Sequence, residues 1–179
     1  FHDRRRNQLL PRRVASLDDI EVPKLLPTVV TTNNETLFIQ YSSGTTGLPK
    51  GAVLSHRKTF FNCLNAEIFF KFHFDDIMLI VLPLFHSGGL FIQAAPTLYK
   101  GATMILHPKF DPDKTFEDMQ RHRVTKFLGV PTIYKSLARA GKEKKPALSS
   151  LQVCAIGGEK ATPEMMARFR EAGFPLRQI

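Results

Sequence analysis

From residue 36 onward, short apolar runs alternate with longer stretches of helical periodicity. Leu37-Phe38-Ile39-Gln40-Tyr41 is an apolar run of strand length that reads as a buried strand ending at Ser42, and Gly51 to Ser55 reads as a second. His56 to Phe72 reads as a helix, since Phe60, Leu64 and Ile68 recur at i, i+4 and i+8 with Phe61 and Phe69 beside them. Ile77 to Leu84 reads as a buried strand, and Gly89 to Tyr99 as a second helix closed by Gly101. Ala102 to Leu106 follows as a strand. Asp111 then Pro112 is an N-cap with proline at the first helical position, opening a helix to about Arg121. Lys126 to Val130 is a strand, Thr132 to Ala140 a helix and Gln152 to Ile156 a strand. Thr162-Pro163-Glu164 repeats the cap-then-proline start for a last helix to Ala172. Phe1 to Glu35, with Pro11, Pro23 and Pro27, reads as an irregular lead-in. The pattern predicts an α/β layered fold around a largely parallel sheet, whose ligands sit outside the carboxyl ends of the strands.

Composition changes this picture little. The 179 residues amount to about one domain, and 43% hydrophobic with 23% charged residues is ordinary for a globular protein. The net charge of +9 raises a nucleic-acid-binding module as an alternative. The charges are spread, however: Arg4-Arg5-Arg6 and Arg12-Arg13 are offset by Asp3, Asp18, Asp19 and Glu21, and Lys142-Glu143-Lys144-Lys145 reads as a surface loop. A solvated basic surface accounts for them. Cys63 and Cys154, far apart in a predicted helix and a predicted strand, suit buried thiols in a reducing compartment. The six histidines lack ligand spacing, so no metal site is expected from these residues. No secretory signal is read at the start, and the longest uncharged apolar run, Ile77 to Phe85, is too short for a bilayer and is broken by Pro83. A cytoplasmic location is the expectation.

Ser42-Ser43-Gly44-Thr45-Thr46-Gly47-Leu48-Pro49-Lys50 carries the chemistry. Gly44 and Gly47 let backbone approach a ligand closely. The hydroxyls of Ser42, Ser43, Thr45 and Thr46 supply donors beside backbone N–H groups, and Lys50 adds a cation, a combination suited to polyphosphate. A Walker A loop is excluded, because Pro49 stands where its second glycine belongs and Gly51 follows the lysine. A strand–loop–strand hairpin is expected in place of strand–loop–helix. The plain alternative is a Gly/Ser/Thr turn between strands.

Tyr41 to Gly51 resembles, without a departure, the phosphate-loop signature of the adenylate-forming (AMP-binding) enzymes, the superfamily of acyl-CoA synthetases, aryl-CoA ligases, beetle luciferases and peptide-synthetase adenylation domains. Two later stretches agree in order: Leu82-Pro83-Leu84-Phe85-His86-Ser87-Gly88-Gly89 and Ile156-Gly157-Gly158-Glu159. The resemblance covers residues 36–179. It implies part of the family's N-terminal domain, ending before a Tyr-Gly-x-Thr-Glu segment and lacking the ribose-binding aspartate and the catalytic lysine of the mobile C-terminal domain. The isolated piece is therefore expected not to catalyse the full reaction.

The resemblance implies ATP, Mg²⁺ and coenzyme A as cofactors and co-substrates. A carboxylate attacks the α-phosphorus of ATP, giving an acyl-adenylate and pyrophosphate, and a thiol then displaces AMP. Thr45, Thr46 and Lys50 are the catalytic candidates, offsetting phosphate charge, with Ser42, Ser43, Gly44 and Gly47 in the same loop. The family's magnesium-binding glutamate would lie beyond Ile179. Phe85, His86 and Gly88 are expected at the acyl pocket, with His86 positioning substrate and not acting as a base, since a carboxylate is already ionised. A histidine after an apolar strand is also often a satisfied structural one. Gly157, Gly158 and Glu159 are expected against adenine and the acyl group. Amino-acid-activating relatives carry an aspartate near Phe85-His86, absent here, so a fatty or aryl acid is favoured. An adenylation domain loading a carrier protein and a non-catalytic scaffold remain the alternatives. No Gly-x-Ser-x-Gly elbow exists, which excludes a serine hydrolase of that type.

Overall fold

The computed structural model describes residues 32–42, 47–144 and 148–179. Their order is β1 (Thr36–Tyr41), β2 (Gly51–Ser55), α1 (His56–Phe70), β3 (Ile77–Ile80), α2 (Ser87–Gly89), a π-helical segment (Leu90–Ala94), α3 (Ala95–Lys100), β4 (Thr103–Leu106), α4 (Pro112–Arg121), β5 (Lys126–Gly129), α5 (Pro131–Lys144), β6 (Val153–Ile156), α6 (Pro163–Glu171) and β7 (Leu176–Gln178).

β3 to β7 form one parallel sheet in the order β4-β3-β5-β6-β7. β5 and β6 are buried along their whole length, as parallel strands covered on both faces must be. One face packs a core of Phe116, Met119, Tyr134, Leu137, Met166 and Phe169 from α4, α5 and α6. The other packs Ala66 and Phe70 of α1 and Ala94 of the π segment. Each fully buried large apolar side chain is worth about 1.5–3 kcal/mol. Because β3 adjoins both β4 and β5, chain direction across the sheet reverses between β3 and β5.

Local signals set the helix ends. Ser55, Asp111 and Thr162 accept hydrogen bonds from the N–H groups of Lys58, Lys114 and Met165, capping α1, α4 and α6. Gly101, at φ +72°, ends α3.

Four expectations are corrected, and one further element is found. β1 is not a buried strand: Leu37, Ile39 and Tyr41 are exposed, because among the described residues β1 pairs only with β2 in a two-stranded antiparallel sheet. The strand at Ile77 stops at Ile80, since Pro83 cannot donate to a ladder. The second helix begins at Ser87 and widens to π geometry over Leu90–Ala94. Residues 142–144 are not loop but the end of α5, and Lys145 lies outside the described residues. A seventh strand, β7, was not anticipated.

A polar brace sits at the amino ends of the strands. Asp76, just before β3, accepts from the His73 N–H at 2.7 Å and the Thr125 hydroxyl at 2.6 Å. Its Oδ1 lies 3.2 Å from the Lys126 ammonium, which also donates to Gln152 at 2.7 Å. Both charged side chains are buried.

Candidate functional site

β1 and β2 make the predicted hairpin, in the register Tyr41↔Gly51. Its loop is closed at the neck by two hydrogen bonds between predicted site residues: the Ser42 N–H donates to the Lys50 carbonyl at 2.9 Å, and the Lys50 N–H donates to Ser42 Oγ at 3.3 Å. Gly47 and Lys50 are exposed. Ser43, Gly44, Thr45 and Thr46 lie outside the described residues. At Gly51 a Cβ would come within 2.8 Å of the Ile39 side chain and within 3.3 Å of Tyr41, so glycine lets the hairpin close beneath the loop.

The hairpin is tied to the His86 segment. Gln40 Nε2 donates to the Phe85 carbonyl at 3.1 Å, and Phe38 packs edge-on against Phe91 at 5.3 Å between ring centroids. Phe85 and His86 are exposed at the turn into α2, while Gly88 and Gly89 are buried. His86 caps α2, its Nδ1 accepting the Gly88 N–H at 3.1 Å. A backbone N–H can only donate, so Nδ1 holds the lone pair and the proton of the neutral ring is on Nε2. At Gly89 a Cβ would lie 2.3 Å from the Pro83 carbonyl oxygen, which presses the start of α2 directly onto the end of the β3 loop.

A cavity of about 350 Å³ opens at the carboxyl ends of the central strands. Leu82, Pro83, Phe85, His86 and Gly88 line it from the loop after β3, and Ile92 from the π segment. Leu128 and Val130 contribute from the β5 end, Gly157 and Gly158 from the β6 end and Ile179 from the β7 end. Among the described residues, no Asp or Glu side chain lines it. This is where the order of strand addition reverses, the position at which open α/β sheets hold ligands. Gly158, at φ +82°, adopts backbone that favours glycine, and a Cβ on Gly157 would lie 2.4 Å from Ile179 Cγ2. Glu159 is exposed at the following turn.

Two of the three predicted segments thus share one pocket, and the third is hydrogen-bonded to its rim through Gln40. Glu159 is not among the lining residues. Sequence reasoning missed Leu82, Pro83, Ser87, Ile92, Leu128, Val130 and Ile179 as lining residues. The position of Leu128 and Val130 at a predicted strand end was the one signal available for them. Among the described residues, no three His, Cys, Asp or Glu side chains converge as a metal site. Nor is any helix among them long and apolar enough to cross a membrane.

The profile of the AMP-binding enzyme family matches residues 4–179. The chain belongs to that family. Among curated AMP-binding relatives, it is 35% identical over 145 residues to a feruloyl-CoA synthase of an Amycolatopsis species, covering 81% of this chain and 30% of that protein. It is 39% identical over 143 residues to an indoleacetate–CoA ligase of Aromatoleum aromaticum, covering 80% and 28%. Among solved structures it resembles ATP-bound MatB of Rhodopseudomonas palustris, with 31% identity and a TM-score of 0.77 over 86% of this chain and 30% of that one. The chain therefore spans about three tenths of the length of the AMP-binding relatives it matches.

Proposed function

We propose that the 42–50 loop and the switch-point cavity serve the ATP-dependent activation of a carboxylic acid without an α-amino group, fatty or aryl, to an acyl-adenylate, followed by acyl transfer to coenzyme A. The observation that carries this reading is the apolar, carboxylate-free cavity hydrogen-bonded at its rim to a hairpin that presents Lys50 and Gly47. A cavity without an acid has nothing to neutralise an ammonium, which disfavours amino acids. Among relatives, those named for ferulate, indoleacetate, 2-succinylbenzoate and long-chain fatty acids all act on acids of the favoured kind.

In this reading Lys50, Thr45 and Thr46 face the triphosphate, with Ser42, Ser43, Gly44 and Gly47 shaping the loop. Their cation and donors offset the repulsion between an anionic nucleophile and ATP and stabilise the departing pyrophosphate. Phe85, His86 and Gly88 hold the acid, His86 presenting Nε2–H toward it. Gly157 and Gly158 let backbone lie flat against the adenylate, with Glu159 beside them. The described residues do not assemble a magnesium site.

The test is carboxylate-dependent ATP–pyrophosphate exchange by the full-length protein that carries this chain, with a panel of fatty, aryl and amino acids. Exchange with fatty or aryl acids, slowed about 10²-fold or more in Lys50→Ala, is the expected result. Exchange with amino acids alone moves the assignment to carrier-protein loading. No exchange with any acid overturns it in favour of the scaffold.

A further inference from the structure

The helical stretch behind His86 contains a group that the reading above leaves unused. Gln93 is fully buried in the π segment, and its Nε2 donates to the Gly88 carbonyl at 3.0 Å. Its other amide atom, Oε1, is buried without a partner among the described residues. Leaving a buried acceptor unpaired costs about 1–3 kcal/mol, a penalty that methionine or leucine of similar size would not incur. The widened turn is held open by side chains. Asn62 of α1 donates to the Phe91 carbonyl, and Thr97 Oγ1 donates to the Gln93 carbonyl at 2.7 Å. Such π insertions are frequent at functional sites.

Gly88 is therefore gripped from both sides. Its N–H is committed to His86 Nδ1 and its carbonyl to Gln93. With no Cβ, its peptide planes have no side-chain packing of their own to orient them. We propose that Gln93 is a positioning residue that, by fixing the Gly88 carbonyl, aims the Gly88 N–H at Nδ1 and so keeps His86 in the Nε2–H tautomer facing the cavity. The use made of that proton, donation to an oxygen of the bound acid or its adenylate, rests on the adenylation reading; the tautomer does not.

The experiment reads the ring directly. Long-range ¹H–¹⁵N spectra of His86 are recorded for the full chain as wild type, Gln93→Met and Thr97→Val. Thr97→Val removes a buried hydrogen bond of the same turn without touching the Gly88–His86 link. The wild-type ring is expected in the Nε2–H form alone, with a nitrogen–nitrogen coupling across the hydrogen bond from the Gly88 amide. Gln93→Met is expected to populate both tautomers and lose that coupling, and Thr97→Val to keep the wild-type pattern. If Gln93→Met does not fold, Gln93→Asn takes its place, withdrawing the amide from Gly88 by one methylene, with the same expected split. A single tautomer in the folded Gln93 variant, or an equal split in Thr97→Val, overturns the proposal. In the exchange assay, Gln93→Met should lower kcat about tenfold with KM for ATP unchanged, the signature of misaimed acid. Wild-type protein without exchange would overturn the adenylation reading alone, and the ring spectra would still decide the role of Gln93.

Discussion

At the scale of single residues, the site is built where side chains are missing. Gly89 and Gly101 are both glycines of the helical stretch after β3, but for different reasons. A Cβ on Gly89 would meet two backbone oxygens, Pro83 at 2.3 Å and Leu82 at 2.7 Å, which cannot rotate aside. A Cβ on Gly101 would meet nothing within 4 Å, so its φ of +72° is the only strain. Gly101→Ala should cost about 1–2 kcal/mol, the left-handed penalty. Gly89→Ala should cost more, about 2–3 kcal/mol, because the helix start must lift off Leu82–Pro83. It should also disturb the cavity these residues line. Urea unfolding of both variants checks the order, and a Gly101 variant as destabilised as the Gly89 variant would refute it.

At the scale of elements, helix α4 is joined to the end of β4 by one buried acid. Asp118 Oδ2 lies 2.7 Å from His107 Nε2, and Oδ1 lies 3.0 Å from the Lys114 ammonium. Burial pushes the Asp118 carboxyl up, but hydrogen bonds and charge from Lys114 and His107 outweigh it, so the group sits below its ordinary value of 3.8. A depressed carboxyl contributes stability that is present above its unfolded value and lost as pH falls through the folded one. The stability gap between wild type and Asp118→Asn should therefore be present above the unfolded carboxyl value, about 1.5–3 kcal/mol for charge-assisted bonds. Below pH 3.8 it should shrink. Unfolding curves across that range measure it, and a gap that grows on acidification contradicts the assignment.

The same elements show what a sequence can disclose. The starts of α4 and α6 were legible in Asp111-Pro112 and Thr162-Pro163, because a cap is settled within four residues. The loop, the His86 turn and the double glycine stood out as candidate segments because each is a short contiguous motif that resembles the family's signature. The π widening was not, since Asn62 on another helix supplies one of its hydrogen bonds. β1 misled because an apolar run signals burial only if something covers it. β7 carries a single buried residue, Leu176, and so shows no alternation. The burial of Lys126, at the start of its strand, has no local signal, because its partner Asp76 lies fifty positions earlier.

At the scale of the whole molecule, the parallel sheet is polarised: charged groups brace its amino ends and an apolar cavity opens at its carboxyl ends. Asp76 and Lys126 join β3 and β5 below the switch point that the cavity occupies above. Removing one member leaves the other as an uncompensated buried charge, so Asp76→Ala should lose about 3–5 kcal/mol. Asp76→Ala combined with Lys126→Met should recover part of that loss, since no charge then remains buried. Cys154 reports the same event from the adjacent strand. Burial raises its thiol to about 12, outweighing the opposing effect of the neighbouring Tyr134 hydroxyl, so the folded chain presents almost no thiolate at pH 8. Alkylation of Cys154 should wait on unfolding, accelerate in Asp76→Ala and slow again in the double variant. Equal labelling rates in all three chains, with unfolding midpoints unmoved, would show that the brace does not hold the sheet. Ligand affinity of the folded variants should stay unchanged, because the brace and the cavity lie at opposite ends of the strands.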